Sequence, residues 1–180
     1  MKVAVFSTRP YDIEFLDKAN SNNKHELVYF ETSLKPKTLR LAEGFDAVCV
    51  FVNDALTKEV IEGLVKLNIK LIALRCTGFN NVDIESACSS SIKVLRVAGY
   101  SPDTVAEHAV SLILALNRKT HKAYNHVREG NFSIERLTGF ELRGKTVGVI
   151  GTGRIGASFA RIMKGFGCNV VASITILMNH

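Results

Sequence analysis

The 180-residue chain is 47% hydrophobic and carries a formal net charge of +6, enough apolar material to bury a real core in one large domain, or in a small domain plus part of another. The charge does not make it a nucleic-acid binder. Residues 142–180 hold five bases (Arg143, Lys145, Arg154, Arg161 and Lys164) and no acid, which leaves 18 bases against 17 acids in the first 141 residues, and cations dispersed through a glycine-rich stretch are not the clustered basic face that such binding needs.

Other classes fall away on similar grounds. The apolar start at 3–6 is too short for the core of a signal peptide and meets Ser7, Thr8 and Arg9 at once, while the longest apolar run, 47–52, has the length of a buried strand and not of a membrane span. Cys49, Cys76, Cys88 and Cys168 stand singly, with no Cys-x-x-Cys and no histidine at ligand spacing, so neither a zinc site nor a disulfide framework is expected. The cysteines read as small core residues in a reducing compartment. A soluble cytoplasmic protein, without membrane, metal or nucleic-acid partners, is the expectation.

Taken in order, residues 2–6 read as a strand, and a helical pattern follows with Ile13, Phe15 and Leu16 toward the core. Short apolar runs recur at 27–30, 47–52, 71–74 and 94–97. Between them, 38–43, 57–67 and 82–90 carry helical spacing or capping residues such as Thr57 and Asp83. Strands alternating with short helices predict a parallel sheet covered on both faces, complete by about residue 97. Ser101 then suits an N-cap, Pro102 a first helical position and Asp103 the positive end of a helix running to about Arg118. The body of that helix, 109–116, is apolar nearly all round, which predicts burial against more than one neighbour. Residues 119–141 read as polar and irregular, 146–150 as a new strand and 169–173 as the next. The domains expected are 1–99 and 100–180.

The sequence after the strand at 146–150 is Gly151, Thr152, Gly153, Arg154, Ile155, Gly156, opening a helix that runs to Gly165 and Gly167. Glycines at this spacing, between a strand and a helix, suit a dinucleotide's pyrophosphate. The first allows the tight turn, the second lets phosphate approach the backbone, and the third lets the helix pack on the strand, with the phosphates facing free N–H groups at the helix end. Arg154 could add a direct phosphate contact. The bland alternative is a glycine-rich turn without a ligand. One part of the fingerprint is missing, because no acid follows Glu141, whereas an Asp or Glu about 20 residues on should bind the ribose. No base follows Lys164 to suggest a 2′-phosphate instead. The apolar tail at 174–180 reads as a frame change or misassigned end, with the cofactor domain cut inside its first half.

Four stretches, FSTRPYD at 6–12, RCTGFNNVD at 75–83, YSPDTVAEHA at 100–109 and GKTVGVIGTGRIG at 144–156, resemble the D-2-hydroxyacid dehydrogenases in that family's order, and the likeness runs to about residue 173. GFNNVD at 78–83 and Tyr100, Ser101, Pro102 are most similar to its D-lactate dehydrogenase branch. The resemblance implies an α/β fold: a flavodoxin-like parallel-sheet substrate domain, then an incomplete Rossmann domain binding NAD through Gly151, Gly153, Arg154, Ile155 and Gly156, with Val105 near the nicotinamide. It implies that the amides of Thr77 and Gly78 hold the carboxylate of a small 2-oxoacid, a natural anion nest, and that Tyr100 reaches the substrate. Arg75 is expected to brace the loop. The family's catalytic Arg, Glu and His lie beyond residue 180, so no catalytic residue is expected here. Glu107 and His108 are adjacent on a helix and point about 100° apart, which is no dyad. His108 reads as a hydrogen-bonded packing residue, His121 and His126 as solvated. Two functions stay open: an oxidoreductase interconverting D-lactate and pyruvate, homodimeric at full length, with this chain an inactive fragment, or a non-catalytic NAD-binding protein resembling the corepressors of this fold.

Overall fold

The computed structural model describes residues 1–173, which form two compact units, one ending at Tyr100 and the other beginning at Ser101. The tail at 174–180 lies outside the described residues.

Five strands build the first unit: β1 (Lys2–Val5), β2 (Glu26–Tyr29), β3 (Ala47–Val50), β4 (Leu71–Leu74) and β5 (Lys93–Arg96). They pair in the order β2-β1-β3-β4-β5, every pair parallel, in registers such as Val3↔Leu27, Val3↔Ala47, Ala47↔Leu71 and Leu71↔Lys93. This is the flavodoxin-like order, reached by covering both faces of the sheet with crossovers. Those crossovers are α1 (Pro10–Ala19), a 3-10 turn at Pro36–Ala42, α2 (Lys58–Lys66) and α3 (Ile84–Ser89). All four β3 residues are buried, as a central parallel strand requires. Around them Phe6, Leu34, Val60, Ile61, Leu64 and Ile72 close one continuous core.

Local chemistry explains the helix starts. The Asp83 carboxylate accepts from the Ser86 amide, 2.9 Å away, and so satisfies one free donor of α3. Thr57 also occupies the N-cap position of α2, but its hydroxyl makes no capping bond. On α1 the expected inward face is wrong at two of its three positions. Ile13 and Phe15 are exposed, and no residue of the helix is fully buried. The half-buried positions are Asp12, Leu16 and Asn20, four residues apart, because the Asp12 carboxylate is drawn in to pair with Arg75 at 3.1 Å.

The second unit holds α4 (Pro102–Arg118), α5 (Thr120–Arg128), β6 (Thr146–Ile150), α6 (Arg154–Gly165) and β7 (Asn169–Ser173). β6 and β7 pair in parallel from Thr146↔Asn169 to Ile150↔Ser173. Ser101 caps α4, its hydroxyl accepting from the Thr104 amide. The Asp103 carboxylate accepts from the Ser158 hydroxyl and lies 3.6 Å from Arg161, tying α4 to α6. The small core centres on Val110, Met163 and Cys168.

Several expectations fail here for identifiable reasons. The stretch 119–141 contains the helix α5, whose polar residues bury nothing fully and so leave no core stripe to read. Lys119, in the left-handed region at φ 52, turns the chain out of α4, and its ammonium donates to the carbonyls of Arg136 and Thr138 at 2.9 Å each. Within its own unit α4 keeps Leu112 and Leu116 exposed, the face left to the second neighbour that was expected. His108 is exposed, His126 is half-buried, and Cys88 alone of the four cysteines lies on the surface. Among the described residues no helix is long and apolar enough to cross a membrane.

Candidate functional site

In the second unit the candidate site grows from the end of β6. Gly151 sits at φ +89, a backbone conformation that strains any L side chain. Gly156 lies so close beneath the turn that an added β-carbon would collide with the Gly151 carbonyl oxygen. Between them Gly153 is the N-cap of α6, with open space around its α-carbon. The amides of Thr152 and Gly153 donate to no described residue, and they lie at the positive end of a twelve-residue helix. Arg154 is exposed and has no ion-pair partner among the described residues. A cavity of about 620 Å³ opens here. Gly151, Gly153, Arg154, Ile155, Gly156 and Val105 all line it, so the positions expected to serve one cofactor meet in one place. Sequence reasoning did not name the remaining apolar wall, which includes Ala109, Ile150 and Phe159.

The first unit carries the other expected loop, at the carboxyl end of β4. Thr77 is half-buried and Gly78 exposed, and neither amide donates to another described residue. Free amides in succession at a strand end form a concave donor pair for an anion. The loop is held from outside. Arg96 donates to the Thr77 carbonyl at 2.9 Å while lying over the Phe79 ring, and the Cys76 thiol donates to the Gly78 carbonyl at 3.2 Å. Arg75, expected to do this bracing, does something else. It donates to the Phe6 carbonyl at 2.7 Å and pairs with Asp12, fastening the end of β1. Asn81 joins the turn after β4 to the turn after β3 by donating to the carbonyls of Phe51 and Asp54. Burial pushes the Cys49 thiol up to about 11, although the Arg75 cation opposes the shift, and burial likewise raises Cys76; both are protonated core groups at neutral pH. Tyr100 is exposed at the end of this unit.

The class these features define is a parallel α/β protein whose second unit carries, after two helices, a strand, a glycine loop and a helix. The chain belongs to the D-isomer specific 2-hydroxyacid dehydrogenase family, whose catalytic-domain pattern matches residues 3–174. It is 50% identical to the D-lactate dehydrogenase of Escherichia coli over 96% of this chain and 52% of that protein. The solved apo-structure of D-lactate dehydrogenase from Escherichia coli superposes with a TM-score of 0.87 at 50% identity, covering 96% of this chain and 55% of the other. The D-lactate dehydrogenase of Lactobacillus jensenii, solved with NAD+, is 30% identical with a TM-score of 0.70, over 99% of this chain and 55% of the other. The chain therefore spans about half the length of the relatives it matches.

Proposed function

We propose that residues 1–99 are the substrate domain, and residues 100 onward the opening part of the NAD domain, of an oxidoreductase that interconverts D-lactate and pyruvate. The observation that carries this reading is the recurrence of one device in two units. Each places two amides that donate to no described residue at the carboxyl end of a parallel strand, one pair at Thr77 and Gly78, the other at Thr152 and Gly153. The names of the relatives favour this reading over a corepressor-like one.

The residues present fit a dinucleotide. The close approach of Gly156 to Gly151 and the open space at Gly153 leave bare backbone donors where a pyrophosphate would lie, and Arg154 supplies a cation. Val105 and Ile155 give the cavity apolar walls. When bound, the nicotinamide supplies the hydride for the keto carbon. The chain's own work is to hold and orient. The Thr77 and Gly78 amides hold the substrate carboxylate, Tyr100 donates a hydrogen bond to the substrate, and Arg96 keeps the carboxylate loop in shape. The groups that polarise the keto oxygen and move its proton would be the family's later Arg, Glu and His. The uncovered Leu112 and Leu116 face of α4 supports a homodimer at the relatives' full length.

The test joins residues 1–173 to the second half of the Escherichia coli relative and follows NADH oxidation with pyruvate. D-lactate is the expected product. A folded, NADH-binding hybrid that reduces neither pyruvate nor any other small 2-oxoacid would sink the reading.

A further inference from the structure

The glycine-loop cavity of the second unit has two facing walls. Val105, Ala106 and Ala109 come to it from α4, and Ile155, Gly156 and Phe159 from the first turns of α6. A neighbouring cavity of about 400 Å³ shares Gly153 and Arg154 with it and is lined in addition by Asp103, Thr152 and Arg161. Asp103 thus stands beside the loop, two residues before Val105, without lining the first cavity itself.

A hydrogen bond joins the two walls. The Ser158 hydroxyl, next to Phe159 on α6, donates to the Asp103 carboxylate in the first turn of α4. Ser158 is 3% exposed, and a hydroxyl buried so far needs its partner. The Asp103–Arg161 pair, 3.6 Å apart with both side chains more than half exposed, contributes little in water. The buried bond therefore carries the tie. The apolar core of this unit centres on Val110 and Met163, further along each helix. Apolar burial has no direction. It draws α4 and α6 together without fixing how far one slides along the other, whereas a hydrogen bond weakens steeply off its line and so fixes it.

We infer that Asp103 is a positioning residue of the cofactor cavity, acting through Ser158. The pair sets Val105 at a fixed spacing from the glycine loop, so that the wall proposed for the nicotinamide and the donors proposed for the pyrophosphate meet one ligand at the same time. Neither Asp103 nor Ser158 lines the cofactor cavity, so the pair works by holding its walls. What it supplies is preorganisation, because walls already at the right spacing lose less freedom when a two-ended ligand arrives. A ligand that meets only the loop gains nothing from the tie. The inference rests on the NAD reading of this cavity and adds to it the bond that keeps the two ends in register.

The test uses the hybrid with the Escherichia coli second half and two ligands. The Kd for NADH, which would reach both walls, is read by its fluorescence, and the Ki of inorganic pyrophosphate, which would reach only the loop, by competition with NADH. Asp103→Ala and Ser158→Ala should each weaken NADH about tenfold and leave pyrophosphate no weaker. The double variant should be no worse than the weaker single one, since both remove the same bond. Asp103→Asn keeps an acceptor for the hydroxyl and should recover most of the affinity. Should Asp103→Ala prove unstable, Ser158→Ala serves in its place, because it leaves no buried hydroxyl unpaired. The inference is overturned if neither single variant weakens NADH, if the two losses add, if Asp103→Asn is as weak as Asp103→Ala, or if pyrophosphate weakens in parallel, the mark of a purely structural loss. Each of those results leaves the NAD reading standing. An unsubstituted hybrid that binds pyrophosphate but not NADH would overturn the NAD reading itself, and this inference with it.

Discussion

The two units bury apolar surface very differently. In the first, Phe6, Leu34, Ile61, Leu64 and Ile72 are wholly buried within one core on both faces of a five-stranded sheet. In the second, a two-stranded sheet, α4 and α6 bury only Ala106, Val110, Val149, Met163 and Cys168 among the described hydrophobic residues, while Ile150 and Val171 on the strands and Leu112 and Leu116 on α4 stay exposed. Burial scales with the apolar area removed from water, so the first unit should hold its shape independently and the second should be the looser body. The loop proposed for the cofactor thus sits on the weaker frame, and the loop proposed for the carboxylate on the stronger.

This contrast can be broken, beginning with the largest effect. Phe6→Ala removes a buried ring stacked on Phe30 and should cost the first unit about 4 kcal/mol. Hydrogen exchange should then rise across β1 to β4 but not in β6. If β6 amides accelerate equally, the units unfold as one and the contrast is wrong.

A pH scan sharpens the same point. The Cys49 thiol is raised from its ordinary 9.0 to about 11, chiefly by burial. The folded state favours the protonated form, so this contribution is complete below pH 9 and is lost as pH rises toward 11. It amounts to about 2 to 3 kcal/mol. Cys49→Ala should lose correspondingly less stability over that range in alkaline denaturation, and identical slopes would show that the thiol is not the titrating group.

Gly156→Ala should cost the second unit about 2 kcal/mol through backbone overlap with Gly151, lowering its melting transition while leaving the first unit's unchanged. Ser101→Ala removes the cap of α4 and should cost about 1 kcal/mol, seen as faster exchange in the first turn of that helix. An unchanged first turn would mean that the cap adds nothing.

The parts legible in the sequence were those governed by local rules. Apolar runs placed all the strands, the Ser101 and Asp83 caps placed two helix starts, and the glycine spacing placed the turn after β6. What escaped was set by distant partners. Ile13 and Phe15 look like core residues until Arg75 draws the charged side of α1 inward. Arg75 and Arg96 both flank the Thr77–Gly78 loop, and only the fold shows that Arg96 holds it. Asp54, its buried carboxylate accepting from Ser7, Leu34 and Phe51, organises three turns from a position that reads as an ordinary loop acid. Its one signal was a lone carboxylate beside an apolar strand and two residues before the buried Leu56.

The central claim is that the two amide pairs divide the labour, Thr77 and Gly78 for the carboxylate, Thr152 and Gly153 for the pyrophosphate. Replacing Thr77, a residue of the first unit, by proline deletes one donor. In the hybrid with the Escherichia coli second half, the account predicts a KM for pyruvate raised about tenfold or more with the Kd for NADH unchanged. An unchanged KM for pyruvate, or a loss of NADH affinity in its place, would contradict it.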